Sequence, residues 1–417
     1  MSVFPIHEPL PLSLGLNNEM LTPYYQPIIA LDTGRIIGYE VLARAVGEGT
    51  VRSLGPFFGN PSIPSDDHLT VDRIIREQAI ARLGQEEDPP LLFINLKPGW
   101  IYNTGESGEL YTLTLLERLG VDPRHIVIEI TEESFGGSME VLRLVVDRYR
   151  KKGCLIAIDD VGSGFSNMDR IAQLQPNLLK IDVHMVKRSA THNGYFGVLR
   201  SFSDLAEQIG ASLLFEGVET RDDLERAIGS GARYVQGFFF AKAEANFQEP
   251  KRFSSIIENE LKQYMKQYAV SEKLWHSQAE LLVEQLLASV RPLEDGADPD
   301  LWIAQLLPRL HERCIRVYLC NEEGIQLSAN YIRGGLGAWR RDDRFRDANW
   351  SWRPYFVPNV AQLHERRRSI VSKSYADLDT REWVRTVLIM ARPGHILLAD
   401  IQDTSSRQSS GKTFGYG

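Results

Sequence analysis

The sequence predicts an α/β chain: a (β/α)8 TIM-like barrel with an antiparallel first strand pair, a long connecting helix, and a small C-terminal α+β domain on an antiparallel sheet. Three observations carry this expectation. Between Leu21 and Phe240, eight short apolar runs alternate with amphipathic stretches, the pattern of parallel strands joined by helices. Between Pro250 and Val290, apolar residues recur at three-to-four spacing with no Pro or Gly among them, which reads as helix. Beyond Pro299, one helical stretch precedes strand-like runs separated by hairpin-length turns.

The eight runs, in order, are PYYQPII, RIIGYEVL, LLFIN, HIVIEI, LIAID, LLKID, SLLF and YVQGFFF. Only ALDTG separates the first two, so that pair is expected to be antiparallel. LTVDRIIREQAIARLG, LYTLTLLERLG, MEVLRLVVDRYRKKG and VLRSFSDLAEQIG are the intervening helices, each closed by a Gly stop signal. The stretch from Val46 to His68, rich in Gly, Pro and Ser, is expected to be one long loop. The helix after Pro250 reads either as packing against a neighbouring domain or as a connector that dimerises and transmits signals. The last domain opens with a helix over 301–314, followed by IRVYLC, IQLSANYI, RTVLIMAR and ILLADI as strands. The expected boundaries are an N-terminal extension (1–20), barrel (21–247), linker helix (248–292), sensor-type domain (293–403) and disordered tail (404–417).

The chain has 417 residues, enough for two or three domains. With 47 basic and 55 acidic residues its net charge is −8, a poor match to DNA, where binding rests on phosphate neutralisation. Cys154, Cys314 and Cys320 form no CxxC pair, so neither a zinc site nor a disulfide framework is indicated. The N-terminus lacks a signal-peptide pattern and no apolar run reaches membrane-spanning length. The expectation is a cytoplasmic protein with no membrane contact.

The informative feature is how the strands end. Glu40 closes RIIGY, Asn95 closes LLFI, Glu129 closes HIVI, and Asp159 and Asp160 close LIAI. Lys180 and Asp182 fall in the next run, Glu216 closes SLLF, and Gln236 follows YV. A barrel gathers the carboxyl ends of its strands on one rim. A single Glu at a strand end is commonly a cap or a surface ion-pair partner. Successive strands ending in charge on one rim are not explained that way, because converging carboxylates repel unless a cation sits among them. Oxygen donors without Cys or His select hard cations, magnesium or manganese, and suit two-metal phosphodiester hydrolysis.

These segments match a known family. GYEVLAR, with Glu40-Val41-Leu42 and Arg44, resembles the signature of EAL-domain phosphodiesterases, which act on the bacterial second messenger cyclic di-GMP. YYQPI, FIN, IEITEES, IDDVGSGFSN, LLKID, FEGVET and QGFFFAK follow in family order, so the resemblance covers residues 21–245. It implies that Glu40, Asn95, Glu129 and Asp159 ligate metal, with Asp160 helping to hold a second ion. Glu216 resembles the residue that activates water, and Lys180 the catalytic lysine. Glu132 resembles the anchor of the loop 160–167. Gln26, Leu42 and Arg44 resemble ligand contacts, and Gln236 a neighbour of the attacking water. The implied cofactor is Mg2+ or Mn2+, with Ca2+ inhibitory, and the implied product is linear pGpG. Val41 for Ala, Asn177 for Asp, Ala243 for Pro and the segment SLGPFFGNPSIP depart from the common pattern, but none removes an implied ligand.

The layout of barrel, long helix and C-terminal PAS-like domain is similar to the YkuI-type subgroup of that family. NWSWRPYF (349–356) resembles pocket-lining sequence in Cache-like sensor domains, relatives of PAS. That resemblance makes Arg353 and Tyr355 candidates for a pocket holding an unidentified small molecule; an ordinary aromatic core with Arg353 stacked on it is the other reading. Three functions stay open: an active phosphodiesterase, a receptor that binds cyclic di-GMP without cutting it, and an interaction protein that forms a homodimer through residues 250–290. The intact DDVGSG and EGVE favour the first.

Overall fold

The structure is a computed structural model that describes residues 19–47, 49–97, 109–131, 138–162, 168–189, 193–289, 293–334, 337–363 and 369–403. The N-terminal strands are β1 (Met20–Ala30), β2 (Ile36–Gly47), β3 (Thr50–Ser53), β4 (Leu91–Leu96), β5 (Ile126–Thr131), β6 (Leu155–Val161), β7 (Leu178–Asp182), β8 (Ser212–Glu216) and β9 (Tyr234–Val235). They hydrogen-bond in the order β1-β9-β8-β7-β6-β5-β4-β2, and β1 pairs β2 to close an eight-stranded barrel. As the five-residue turn predicts, β1 runs antiparallel to β2, and also to β9; the other barrel pairings are parallel.

The helices lie at Ser65–Leu83, Tyr111–Leu119, Met139–Lys152 and Asn193–Ile209, where the apolar spacing places them. Met139–Lys152 shows the local logic. Ser138 caps its first turn by accepting from the Glu140 amide, Leu142, Val145, Val146 and Tyr149 form its buried stripe, and Gly153 ends it at φ 104°. That left-handed conformation carries no Cβ penalty in Gly. Alternate residues of the strands fill the barrel: Ile28, Phe93, Val127, Ala157, Leu178 and Leu214 form one fully enclosed cluster.

Two expectations for the barrel are corrected. The segment from Val46 to His68 is not one loop. Strand β2 continues to Gly47, β3 folds back on it, and Gly55–Phe58 forms a helical turn. Leu54 and Phe57 pull this segment in, joining Leu21, Ala45, Val71, Ile74 and Ile75 in a buried cluster. The run YVQGFFF is strand only over Tyr234–Val235. The chain then turns at Gly237, where a Cβ would lie 2.1 Å from the Val218 carbonyl oxygen, so the backbones touch.

The chain divides into two compact units, 1–264 and 265–417. An unbroken helix, Ser254–Ser289, crosses the division. In the first unit it is anchored by Ile257, 1% exposed. In the second, Val283 and Leu287 pack on that unit's core. The second unit is an antiparallel sheet: β10 (Cys314–Asn321), β11 (Asn330–Arg333), β12 (Trp339–Asp342), β13 (Ser369–Val371), β14 (Tyr375–Ala376), β15 (Trp383–Arg392) and β16 (His395–Gln402), ordered β12-β11-β10-β16-β15-β13 with β14 on β15. Its opening helix covers only Pro299–Leu306, shorter than the expected 301–314. Pro308 has no amide proton, the chain tightens into a 3-10 turn over Leu307–Arg309, and Cys314 already belongs to β10. IQLSANYI is strand only from Asn330.

All three cysteines are free and buried, and burial pushes the Cys154 and Cys314 thiols up to about 12. No helix among the described residues is long and apolar enough to cross a membrane. The segments 1–18 and 404–417, and with them most of the expected extension and tail, lie outside the described residues.

Candidate active site

Six parallel strands bring their carboxyl ends to one rim. Asn95, Glu129, Asp159, Lys180 and Glu216 sit at or near the ends of β4, β5, β6, β7 and β8, and Glu40 sits where the parallel pairing of β2 with β4 ends. Asn95 and Glu129 are register partners, as are Asp182 and Glu216.

Lys180 stands at the centre of this group. Its Nζ lies 2.8 Å from Glu129 Oε1, 3.0 Å from Asp159 Oδ2, 3.3 Å from Glu216 Oε2 and 3.9 Å from Glu40 Oε1. Its side chain and that of Glu129 are fully buried. Burial alone would lower the lysine pKa, but Asp159, Glu129, Glu216 and Glu40 outweigh it and hold the ammonium well above its ordinary value. One ammonium does not balance the cluster. Burial pushes Glu129 well up, with Lys180 opposing and Glu40 and Asp159 adding to the rise. Burial likewise pushes Glu216 up to about 8, against the pull of Lys180.

Asp159 and Asp160 meet by an irregularity. In a regular strand consecutive side chains point to opposite faces. The β6–β7 register shifts between Ile158 and Val161, and Asp160 takes φ 57°, a left-handed conformation that Asp tolerates better than most residues. Bulges of this kind re-aim side chains. Here carboxylate oxygens of Asp159, Asp160 and Glu216 come within 4.8 Å of one another.

The donor set fits a hard divalent cation. Glu40, Asn95, Glu129, Asp159, Asp160 and Glu216 offer oxygen donors without Cys or His, and Glu129 Oε2 and Gln236 Oε1 are buried with no hydrogen-bond partner. Leaving such groups unsatisfied is costly in a folded core.

The remaining predicted residues are placed as follows. Gln236 donates from Nε2 to Glu40 Oε2 at 2.7 Å, and Asn95 donates from Nδ2 to Glu40 Oε1 at 3.4 Å. Gln26 faces Glu40 across β1–β2, with its amide on the Ala241 carbonyl at 3.3 Å. Leu42 and Arg44 lie two and four residues beyond Glu40 on the same face of β2. Arg44 donates to Ala43 O at 2.9 Å and to Ser53 Oγ at 3.4 Å, so it is held on the β2–β3 hairpin and has no ion pair with the acidic cluster. Glu132 and most of the loop it was expected to anchor lie outside the described residues.

Arg76, on the helix Ser65–Leu83, was not singled out from the sequence. It is 5% exposed and donates to the Asn95 carbonyl. The available signal was Asp72 and Arg76 four apart on a stripe that continues into Ala79, Ile80 and Leu83.

The second unit holds a cavity of about 90 Å³ lined by both predicted residues, Arg353 and Tyr355, together with Tyr318, Trp350, Tyr375 and Asp400 among others. Arg316, on the same wall, is spoken for: it pairs with Asp377 at 2.7 Å and Asp400 at 3.3 Å. Arg353 instead lies against the rings of Trp352 (4.9 Å), Tyr375 (5.7 Å) and Trp350 (5.9 Å). Tyr355 stacks on Tyr375 with centroids 4.7 Å apart.

Comparison with known proteins shows the family. Residues 11–243 match the EAL domain family, and residues 247–404 match the EAL-domain associated signalling protein domain. An uncharacterized EAL-domain containing protein of Bacillus subtilis, YkuI, is 35% identical over 384 residues, covering 90% of this chain and 93% of that protein. The cyclic di-GMP phosphodiesterase RocR of Pseudomonas aeruginosa is 30% identical over 244 residues, 55% of this chain and 58% of its own. The crystal structure of the B. subtilis YkuI protein in complex with substrate c-di-GMP and calcium superposes with a TM-score of 0.87 at 33% identity, covering 94% of this chain and 99% of that one.

Proposed function

The chain belongs to the EAL-domain family, with an EAL-associated signalling domain at its C-terminus, and from that premise we propose that it hydrolyses cyclic di-GMP to linear pGpG with a divalent cation. The observation that supports this best is the charge of the rim: Glu40, Glu129, Asp159 and Glu216 converge on one ammonium, Lys180, and Asp160 joins Asp159 and Glu216 beside it. Five carboxylates against one ammonium leave a formal −4 (5 − 1), which two divalent ions would neutralise. Glu40, Asn95, Glu129 and Asp159 would hold the first ion, and Asp160 would help hold the second. Bound there, the ions supply Lewis-acid stabilisation of phosphoryl charge and lower the pKa of water.

The chain's own groups account for the rest. Glu216, ionised once cations offset its neighbours, takes the proton of the attacking water. Lys180 is too enclosed to reach a phosphoryl oxygen, so it orients a water lodged among the carboxylates and keeps them together. Gln236 fixes Glu40. Gln26, Leu42 and Arg44 contact the ligand, Arg44 turning from the hairpin to a phosphate oxygen. Water adds to phosphorus, one bridging P–O bond breaks, the ring opens, and the leaving oxygen takes up the proton that Glu216 received. With magnesium or manganese, purified protein is expected to convert cyclic di-GMP to pGpG, and added calcium to suppress the reaction. Ligand binding with no turnover in either metal would leave a receptor.

The C-terminal domain, in our reading PAS-like and confined to 293–403, regulates this site through a small molecule in the Arg353–Tyr355 cavity, Arg353 receiving an anionic group. We further read the protein as a cytoplasmic homodimer. Met265, Tyr268, Val270, Leu274 and Leu281 leave large apolar side chains more than half exposed on the helix Ser254–Ser289, the surface a second copy would cover. Removing residues after Ser271 should change the turnover rate or the sedimentation of the protein; if both stay as in the full chain, the helix and the domain beyond it have no such role.

A further inference from the structure

We propose that Arg76 is a positioning residue for Asn95, and through it sets the affinity of the divalent-cation site; only its link to turnover rests on the phosphodiesterase reading. Arginine is seldom buried unless it is paired. Here Nη2 donates to the Asn95 carbonyl at 3.1 Å and pairs with Asp72 Oδ2 at 2.5 Å, while Nη1 donates to Thr112 Oγ1 at 2.7 Å. One guanidinium therefore ties the end of β4 to the helices Ser65–Leu83 and Tyr111–Leu119.

The place where it acts is where the sheet holds β4 on one side only, through its ladder with β5. The β2–β4 pairing runs from Gly38–Leu91 to Glu40–Phe93 and ends there. From Arg44 onward β2 pairs instead with β3. Two residues past the last β2 partner, Asn95 has lost that neighbour, and the group that meets its carbonyl is Arg76. The Asn95 side chain does not fix itself, since its contact with Glu40 is long, at 3.4 Å. A backbone free to shift at Asn95 would carry the amide away from Glu40 and Glu129. The flat fork of arginine serves two acceptors at once with defined directions, whereas a lysine ammonium in the same place keeps the charge opposite Asp72 but not that geometry.

The test is direct Mn2+ titration of the full-length protein, reading free Mn2+ by electron paramagnetic resonance, alongside thermal unfolding and steady-state kinetics. Arg76→Lys is expected to weaken Mn2+ binding at least about 10-fold, the scale at which residues behind metal ligands act. Its kcat should fall at low Mn2+ and return at saturating Mn2+, with the KM for cyclic di-GMP unchanged. Ile80→Val, which loosens the same helix without touching Asn95, should keep wild-type Mn2+ affinity. Arg76→Lys with a lowered Tm and wild-type Mn2+ affinity would reduce Arg76 to a structural role and overturn the proposal. If Arg76→Lys does not fold, Thr112→Val removes one of the two hydrogen-bond acceptors that orient the fork; unaltered Mn2+ binding there also overturns it. Wild type that binds Mn2+ without hydrolysing cyclic di-GMP defeats the phosphodiesterase reading and leaves the Arg76 assignment standing. Wild type that binds no Mn2+ defeats both.

Discussion

Glu216→Gln is expected to lower the turnover of cyclic di-GMP by about 10²–10⁴-fold, the usual contribution of a positioned general base, while the ligand still binds. The substitution keeps the shape of the side chain and removes only its ability to take a proton. Glu216 ends β8 with its Oε2 3.3 Å from Lys180 Nζ, and its oxygens share a 4.8 Å cluster with Asp159 and Asp160. Without metal, burial lifts its carboxyl to about 8 against the pull of Lys180, with Asp159, Glu40 and Asp160 adding to the rise. The group is then largely protonated at neutral pH, and a base must be ionised. Divalent cations favour the ionised form and shift the pKa down from that value. The wild-type rate at saturating metal should therefore climb with pH until Glu216 has lost its proton, and the variant should lose that limb of the profile. Equal rates in the two proteins would remove Glu216 from the chemistry. Loss of ligand binding together with rate would show a binding role instead.

Lys180→Met carries the largest expected effect on stability. Breaking a buried charge cluster by deleting one partner costs about 3–5 kcal/mol, because the remaining charges stay buried and uncompensated. Lys180 has no exposed side-chain surface and faces four carboxylates within 4.0 Å. The Tm in EDTA should drop by several degrees relative to wild type. Millimolar Mn2+ should recover part of that loss, since an ion that binds only the folded site stabilises it by mass action. Turnover should fall by about 10²–10³-fold or more even where the fold is restored, the scale for losing one preorganised electrostatic group. Unchanged Tm in EDTA would show that the carboxylates are discharged by protons alone and do not depend on the lysine.

The fold was legible wherever a local rule acts without competition. The apolar runs from PYYQPII to SLLF became strands, and the short link ALDTG made β1 antiparallel to β2. Legibility failed where tertiary contacts overruled composition. The Gly-, Pro- and Ser-rich stretch after Val46 looked like a loop, yet Leu54 and Phe57 bury themselves and draw it into β3 and a helical turn. In YVQGFFF, apolar content suggested a longer strand, but the contact of Gly237 with Val218 turns the chain.

The candidate site divides in the same way. The identity and order of Glu40, Asn95, Glu129, Asp159, Lys180 and Glu216 were visible in the sequence, because each closes or interrupts an apolar run and a barrel must deliver those ends to one rim. What the sequence could not supply was the side chain's final direction. Strand alternation alone would have parted Asp159 from Asp160; the register shift beside them and the left-handed backbone at Asp160 bring both carboxylates to Glu216. Nor did it reveal that Arg76 reaches the Asn95 carbonyl from a separate helix. Sequence spacing fixes which residues share a strand or a helix face, since those periods are local. Which groups meet across elements depends on packing and register, and only the tertiary structure decided that.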